Sequence, residues 1–158
     1  MLPDPSLPWP ICMAGVALIA EAEGCRLKAY KCPAGVWTCG WGETEGVTPQ
    51  TVWTQAYADQ RFCEILTERT SQVRDLCAMA PSDNELAAMV SLSYNCGMAG
   101  FAKSSVLRAH NAGNHQAAAR AFGLWNQARI NGVLQPVPGL TARQIGRASC
   151  RERVSRCV

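Results

Sequence analysis

Apolar residues run almost unbroken over positions 11–20 (ICMAGVALIA), between Pro10 and the acidic stretch that ends at Glu23 and Gly24. This pattern predicts a buried helix over residues 11–23, with glycine as its C-terminal stop and Glu23 in its last turn. From Ala29 to about residue 46 the pattern shortens to pieces such as GVWTCGWG, with glycines at 35, 40, 42 and 46. Such spacing predicts a small hairpin or three-stranded sheet. Thr48-Pro49 then reads as a cap and first-turn proline, opening a long helix to about Cys77. Beyond Pro81, Ser82-Asp83-Asn84-Glu85 has the spacing of a capping box, and the apolar segment behind it predicts a central core helix closing at Gly97. Two short helices are expected at 104–111 and 114–125, divided by Gly113, with Trp125 in the core. The stretch NQARINGVLQPVPGL reads as a structured loop, and a last helix is expected from near Leu140. The fold class is therefore α+β and mostly helical, with one small β element near the N-terminus and no internal repeat.

Composition narrows the class further. A chain of 158 residues, 48% hydrophobic and 17% charged, is long enough for one folded unit or one with two lobes, and it excludes a disordered or coiled-coil protein. The formal charge is +3, but Arg147, Arg151, Arg153 and Arg156 stand against Glu152 alone in the last 14 residues. Of the 15 basic and 12 acidic residues, 11 of each lie upstream of residue 145, so the body is neutral. A nucleic-acid footprint needs a structured basic face, and no such partner is expected. The tail IGRASCRERVSRCV has no apolar period and resembles a translated cloning junction, so it is read as non-native. At the other end, MLPDPSLPWP is a proline-rich leader, and no Lys or Arg precedes Arg26. The apolar run behind it is half of the roughly 20 residues that span a membrane. Neither a cleaved signal nor a transmembrane helix is predicted; an uncleaved export anchor is the second reading. The expected divisions are 1–10, 11–144 and 145–158.

The chemistry concentrates between residues 23 and 42. Glu23-Gly24, Arg26, Tyr30, Gly35, Thr38, Gly40 and Gly42 stand at the spacing of a motif in which E-G, R and Y precede a D-x-x-G-x-x-T-x-G-x-G hairpin. This resembles the phage lysozymes of glycoside hydrolase family 24, the T-even-phage type among them, with Cys32 where that family has its aspartate. The stretch 84–111, with NELAAMVSLSYNCG and F-x-K-S-S-V-L-R-x-x-N, and the later AAARAF-x-x-WN are similar to the family's second lobe. The resemblance covers about 11–144. It implies a two-lobed lysozyme-like fold and a bacteriolytic endolysin that cleaves the β-1,4 bond between N-acetylmuramic acid and N-acetylglucosamine. It further implies a monomer without cofactor, held in the host cytoplasm until a holin-type pore releases it to the periplasm and cell wall.

Residue by residue, the resemblance makes Glu23 the general acid. A carboxyl with an ordinary pKa of about 4.3 must hold its proton near neutrality to do this, and a helix C-terminus favours the neutral form. Thr38 would position the attacking water, for which an inverting enzyme leaves about 6.5–9.5 Å between acid and water activator. Cys32 has three readings: a thiolate base toward water, a nucleophile that forms a covalent sugar intermediate, or a structural cysteine in a disabled enzyme. Arg26, Lys28 and Lys31 are near enough in sequence to favour its thiolate. Asn95 and Trp41 are expected substrate-binding residues, Arg143 a partner for Glu23, and Glu43 an alternative carboxylate for the water. A lytic transglycosylase on the same bond and a non-catalytic peptidoglycan-binding module are the competing functions.

Cysteines at 25, 32 and 39 repeat every seven residues, not at zinc-site spacing, and His110 and His115 lie far from them in alanine-rich helical sequence. No metal is expected, and no G-x-S-x-G, P-loop or dinucleotide motif is present. Cys25 and Cys32 flank the turn after the catalytic helix, where a disulfide exchangeable with Cys12 would mask the site thiol. Reduced thiols in a cytosolic protein are the plainer alternative.

Overall fold

In the computed structural model, residues 1–122 are described together with the backbone of 127–130 and 133–136. Expectations for Trp125, Arg143, the helix near Leu140 and the tail fall outside the described residues. The chain divides into two units, Met1–Glu68 and Arg69–Val158.

The first unit is built on α1, Met13–Glu23, which buries Gly15, Val16, Ile19 and Ala20. That stripe repeats at helical spacing and explains why a run apolar on nearly every side folds here as a core helix. Gly24, at φ 70°, ends it, and its N–H donates to the Ala20 carbonyl at 2.8 Å. β1 (Arg26–Lys31) and β2 (Trp37–Gly40) then pair antiparallel, with Tyr30 opposite Thr38 and Lys31 opposite Trp37.

A third edge comes from a segment expected to be helical. Lys28 bridges Val52, the Ala29 N–H reaches the Thr51 carbonyl at 3.0 Å, and the Trp53 N–H reaches that of Leu27 at 2.8 Å. Thr48 and Thr51 close a turn around Pro49, the Thr48 N–H donating to Thr51 Oγ1 at 2.9 Å. Helix α2 therefore starts only at Gln55 and runs to Leu76, with Thr54 Oγ1 accepting the Tyr57 N–H at 3.2 Å. Pairing with β1 satisfies backbone groups that a Thr48 start would have committed to a helix. The proline-rich leader also belongs to this unit: the Asp4 N–H donates to Asp59 Oδ2 at 3.0 Å, and Trp9 meets the Phe62 ring edge-on at 5.5 Å.

In the second unit, α3 (Asp83–Ala102) opens with the expected capping box. The Ser82 hydroxyl accepts the Glu85 N–H at 3.3 Å, and the Glu85 carboxylate accepts the Ser82 N–H at 3.0 Å. Every residue from Glu85 to Ser93 is buried. Gly97 (φ 73°, ψ 166°) breaks the helix where the sequence places its end, and the chain resumes helical turns to Ala102. Ser104 caps α4 (Ser105–Asn111), and Asn114 caps α5 (His115–Ala121). Phe101, Phe122, Leu86, Met89, Leu92 and Val106 form this unit's core. Beyond α5, β3 (Gln127–Ile130) and β4 (Val133–Pro136) form a second hairpin where a loop was expected. Ile130 pairs with Val133, and the two residues between them in sequence are Asn131-Gly132, a strong hairpin signal. The architecture is mostly helical with small antiparallel sheets, as the fold class requires.

Candidate active site

Glu23 is the last residue of α1, half-buried, and Gly24 turns the chain from it directly into β1. Its carboxylate lies over the backbone of Gly42: a Cβ at that glycine, held at φ 106°, would come within 3.2 Å of Glu23 Oε2. Gly40 is more crowded. At φ 62°, a Cβ there would stand 2.5 Å from Glu43 Oε2 and 2.7 Å from the Trp53 ring. The G-x-G spacing of the sequence is thus the spacing at which two carboxyl groups press onto one stretch of backbone.

Cys32 opens the hairpin turn. Its N–H donates to the Val36 carbonyl at 2.9 Å, and the Gly35 N–H returns to its own carbonyl at 2.8 Å. The thiol lies below its ordinary range, chiefly because the Val36 backbone N–H favours the thiolate, with the Ala34 and Gly35 amides and the Thr38 hydroxyl adding to it. Two of the neighbouring cations expected to do this are engaged elsewhere. Arg26 lies 4.4 Å over the Tyr30 ring and Lys31 5.5 Å over that of Trp37. Thr38 is buried on β2, and its hydroxyl sits 3.1 Å from the Val36 carbonyl, within the same turn as the sulfur. The structure therefore brings Cys32 and Thr38 together. Cys25 behaves differently: burial pushes its thiol up, and its sulfur rests against the Gln55 amide. The seven described cysteines carry no disulfide.

Glu43 was a fallback in the sequence and is prominent in the structure. It is 7% exposed, both carboxyl oxygens lack a hydrogen-bond partner, and its backbone pairs with Cys39. Burial pushes its pKa up to about 7, the nearby Glu23 charge adding to the effect while backbone amides and Arg61 oppose it. No sequence pattern marks such a group, because its burial depends on the ring of Trp53 and the fold of the glycine turn.

Trp41 is a correction. It is 3% exposed, its indole N–H donates to Asp59 Oδ1 at 2.7 Å, and its ring stacks on Phe62 at 5.6 Å. With its polar tip bonded and its ring buried against Phe62, it packs the first unit and offers no exposed platform for a sugar. Asn95 lies on α3 in the second unit, half-buried, two residues before the break at Gly97. The histidines, read as remote from any ligand set, converge on Glu85, and that group is the one among the described residues with the makings of a metal site.

The helical fold with its small antiparallel sheet, together with the family and the solved muramidase fold that the chain matches, makes it a lysozyme-type glycosidase. Residues 20–146 match the phage lysozyme family, and the chain belongs to that family. An endolysin of Acyrthosiphon pisum secondary endosymbiont phage 1 is 36% identical over 130 residues, covering 82% of this chain and 89% of its own. A SAR-endolysin of Escherichia phage P1 is 44% identical over 86 residues, 53% of this chain and 46% of its own. Among solved structures, the muramidase domain of SpmX from Asticaccaulis excentricus superposes with a TM-score of 0.84 at 31% identity, over 90% of this chain and 97% of that one.

Proposed function

We propose that this chain is an endolysin of the glycoside hydrolase family 24 type, a muramidase in which cysteine replaces the family's catalytic aspartate. It hydrolyses the β-1,4 bond between N-acetylmuramic acid and N-acetylglucosamine in peptidoglycan and so lyses the host. The observation that carries this reading is the setting of Glu23 over Gly42 in the same unit as the Cys32–Thr38 pair. Glu23 gives its proton to the glycosidic oxygen as the C–O bond breaks. A water held by Thr38 attacks the anomeric carbon and loses its proton to the Cys32 thiolate. Asn95 contributes an amide to the saccharide. The catalytic domain is taken as 11–144, with 145–158 outside it, in keeping with a family match that stops at residue 146. Among the described residues no helix is long and apolar enough to cross a membrane. Release through a holin-type pore is the route proposed for this chain. The P1 relative's name points to the other route, release without a holin, and lysis timed with and without a co-expressed pore separates the two.

The test is clearing of permeabilised Gram-negative cells by wild type, Glu23→Gln and Cys32→Ala. Loss of a general acid costs about 10²–10⁴-fold, and Glu23→Gln is expected to fall in that range. Full activity in Glu23→Gln would overturn the mechanism. Full activity in Cys32→Ala would pass the water to Thr38 or Glu43. Products lighter by one water would mean a lytic transglycosylase, and binding without turnover a peptidoglycan-binding module.

A further inference from the structure

The second unit holds a cluster that the hydrolytic reading does not use. Glu85, the third residue of α3, is 6% exposed, and its Oε2 is held by the Ser82 N–H at 3.0 Å. His110, in the last turn of α4, is fully buried, with Nε2 at 3.2 Å from the Met79 carbonyl. A carbonyl only accepts, so Nε2–H donates to it, and Nδ1 is the ring nitrogen that faces Glu85. Glu85 Oε2 stands 3.9 Å from that nitrogen, beyond hydrogen-bond length. His115, the first residue of α5, reaches the other carboxylate oxygen with Nδ1 at 2.6 Å while its side chain is 47% exposed. The two imidazole rings stand 5.9 Å apart at 76°, and one ligand atom from each of the three residues lies within 4.8 Å of the others.

We propose that Glu85, His110 and His115 form a binding site for a late first-row divalent cation of the zinc class, which ties the start of α3 to α4 and α5. In a tetrahedral site with bonds of about 2.0–2.1 Å, ligand atoms stand roughly 3.3 Å apart. The His110–Glu85 gap must close slightly and the His115–Glu85 contact must ease. The exposed His115 ring can make that adjustment. Outer partners are already in place, since the Met79 carbonyl fixes the tautomer and ring of His110 and the Ser82 amide fixes the carboxylate. Two imidazoles and one carboxylate select zinc, cobalt, nickel or copper over the all-oxygen preference of calcium and magnesium. The exposed side at His115 leaves the fourth position to water. Nothing in this site belongs to the Glu23 machinery, so the proposal stands or falls apart from the muramidase reading.

The full chain, with its cysteines reduced, is titrated with Co²⁺ and followed by visible absorption. Wild type is expected to bind a first equivalent with ligand-field bands and no thiolate charge-transfer band, and Zn²⁺ to displace it. His115→Ala is expected to weaken binding at least about tenfold, while His115→Asp, which restores a ligand, recovers most of it. Zn²⁺ raises the melting temperature of wild type more than that of His115→Ala, as mass action on a folded-state site requires. Melts without metal show that His115→Ala is folded. Equal binding by wild type and His115→Ala, no saturable binding, or a first equivalent carrying the thiolate band would each overturn the site.

Discussion

At Glu43 a carboxyl group is held where water does not reach it, and the linkage consequence has a definite sign. Its ordinary pKa is 4.5 and its folded value is about 7, so between those pH values the folded protein holds a proton that the unfolded chain has lost. Stability therefore falls as pH rises from about 4.5 to past about 7. Glu43→Gln keeps the shape and removes the titration. Melting curves across this range are expected to show wild type losing ground to the variant by a few degrees as pH rises. Parallel curves would contradict the burial of a proton at Glu43. Cys32 shifts the opposite way, because the amides of its turn and the Thr38 hydroxyl favour the anion. If the thiolate is the base, activity rises with pH through its pKa, and Thr38→Val moves that acidic limb to higher pH. Alkylation of Cys32 by iodoacetamide, mapped by mass spectrometry, should slow at fixed pH in the same variant.

At the scale of elements, the hairpin rests on glycines that are not equivalent. Gly40 and Gly35 both have positive φ, but a Cβ at Gly35 meets nothing within 4 Å, whereas one at Gly40 collides with Glu43 and Trp53. Gly40→Ala is expected to cost about 1–3 kcal/mol from overpacking in addition to backbone strain, and Gly35→Ala only the strain. Thermal melts of the two variants read the difference directly, and equal losses would contradict the packing. These glycines were legible in the sequence, as were α1 with its Gly24 stop, the Ser82–Glu85 capping box and the break at Gly97, because each is set by local backbone chemistry. What was not legible depended on distant partners. Residues 51–53 pair with β1 and so delay α2 to Gln55. Trp41 finds Asp59 and Phe62, and His110 and His115 find Glu85 across the start of α3. The second hairpin is the exception, since Asn131-Gly132 announced it.

At the scale of the whole molecule, charge is the feature that a sum misrepresents. The +3 resides in the last 14 residues, and the body carries 11 charges of each sign. The net charge of the body therefore supplies no overall attraction to an anionic wall. A chain ending at residue 144 is expected to clear cells at the rate of the full chain, with a similar dependence on ionic strength; a loss of rate confined to low salt would show that the tail's arginines steer the enzyme. The two units carry separable chemistry, a carboxyl and thiol set in the first and a histidine and carboxylate set in the second. Wall binding, hydrolysis and metal binding can accordingly be measured on one chain with different variants.

The role proposed for Glu23 is that of the general acid in a peptidoglycan muramidase. Mass analysis of soluble products from purified peptidoglycan, digested with equal amounts of wild type and Glu23→Gln, tests it most directly. The expected result is hydrated muropeptides ending in reducing N-acetylmuramic acid from wild type and at least about a hundredfold less from the variant. Equal product from both proteins, or product ending in reducing N-acetylglucosamine, would contradict it.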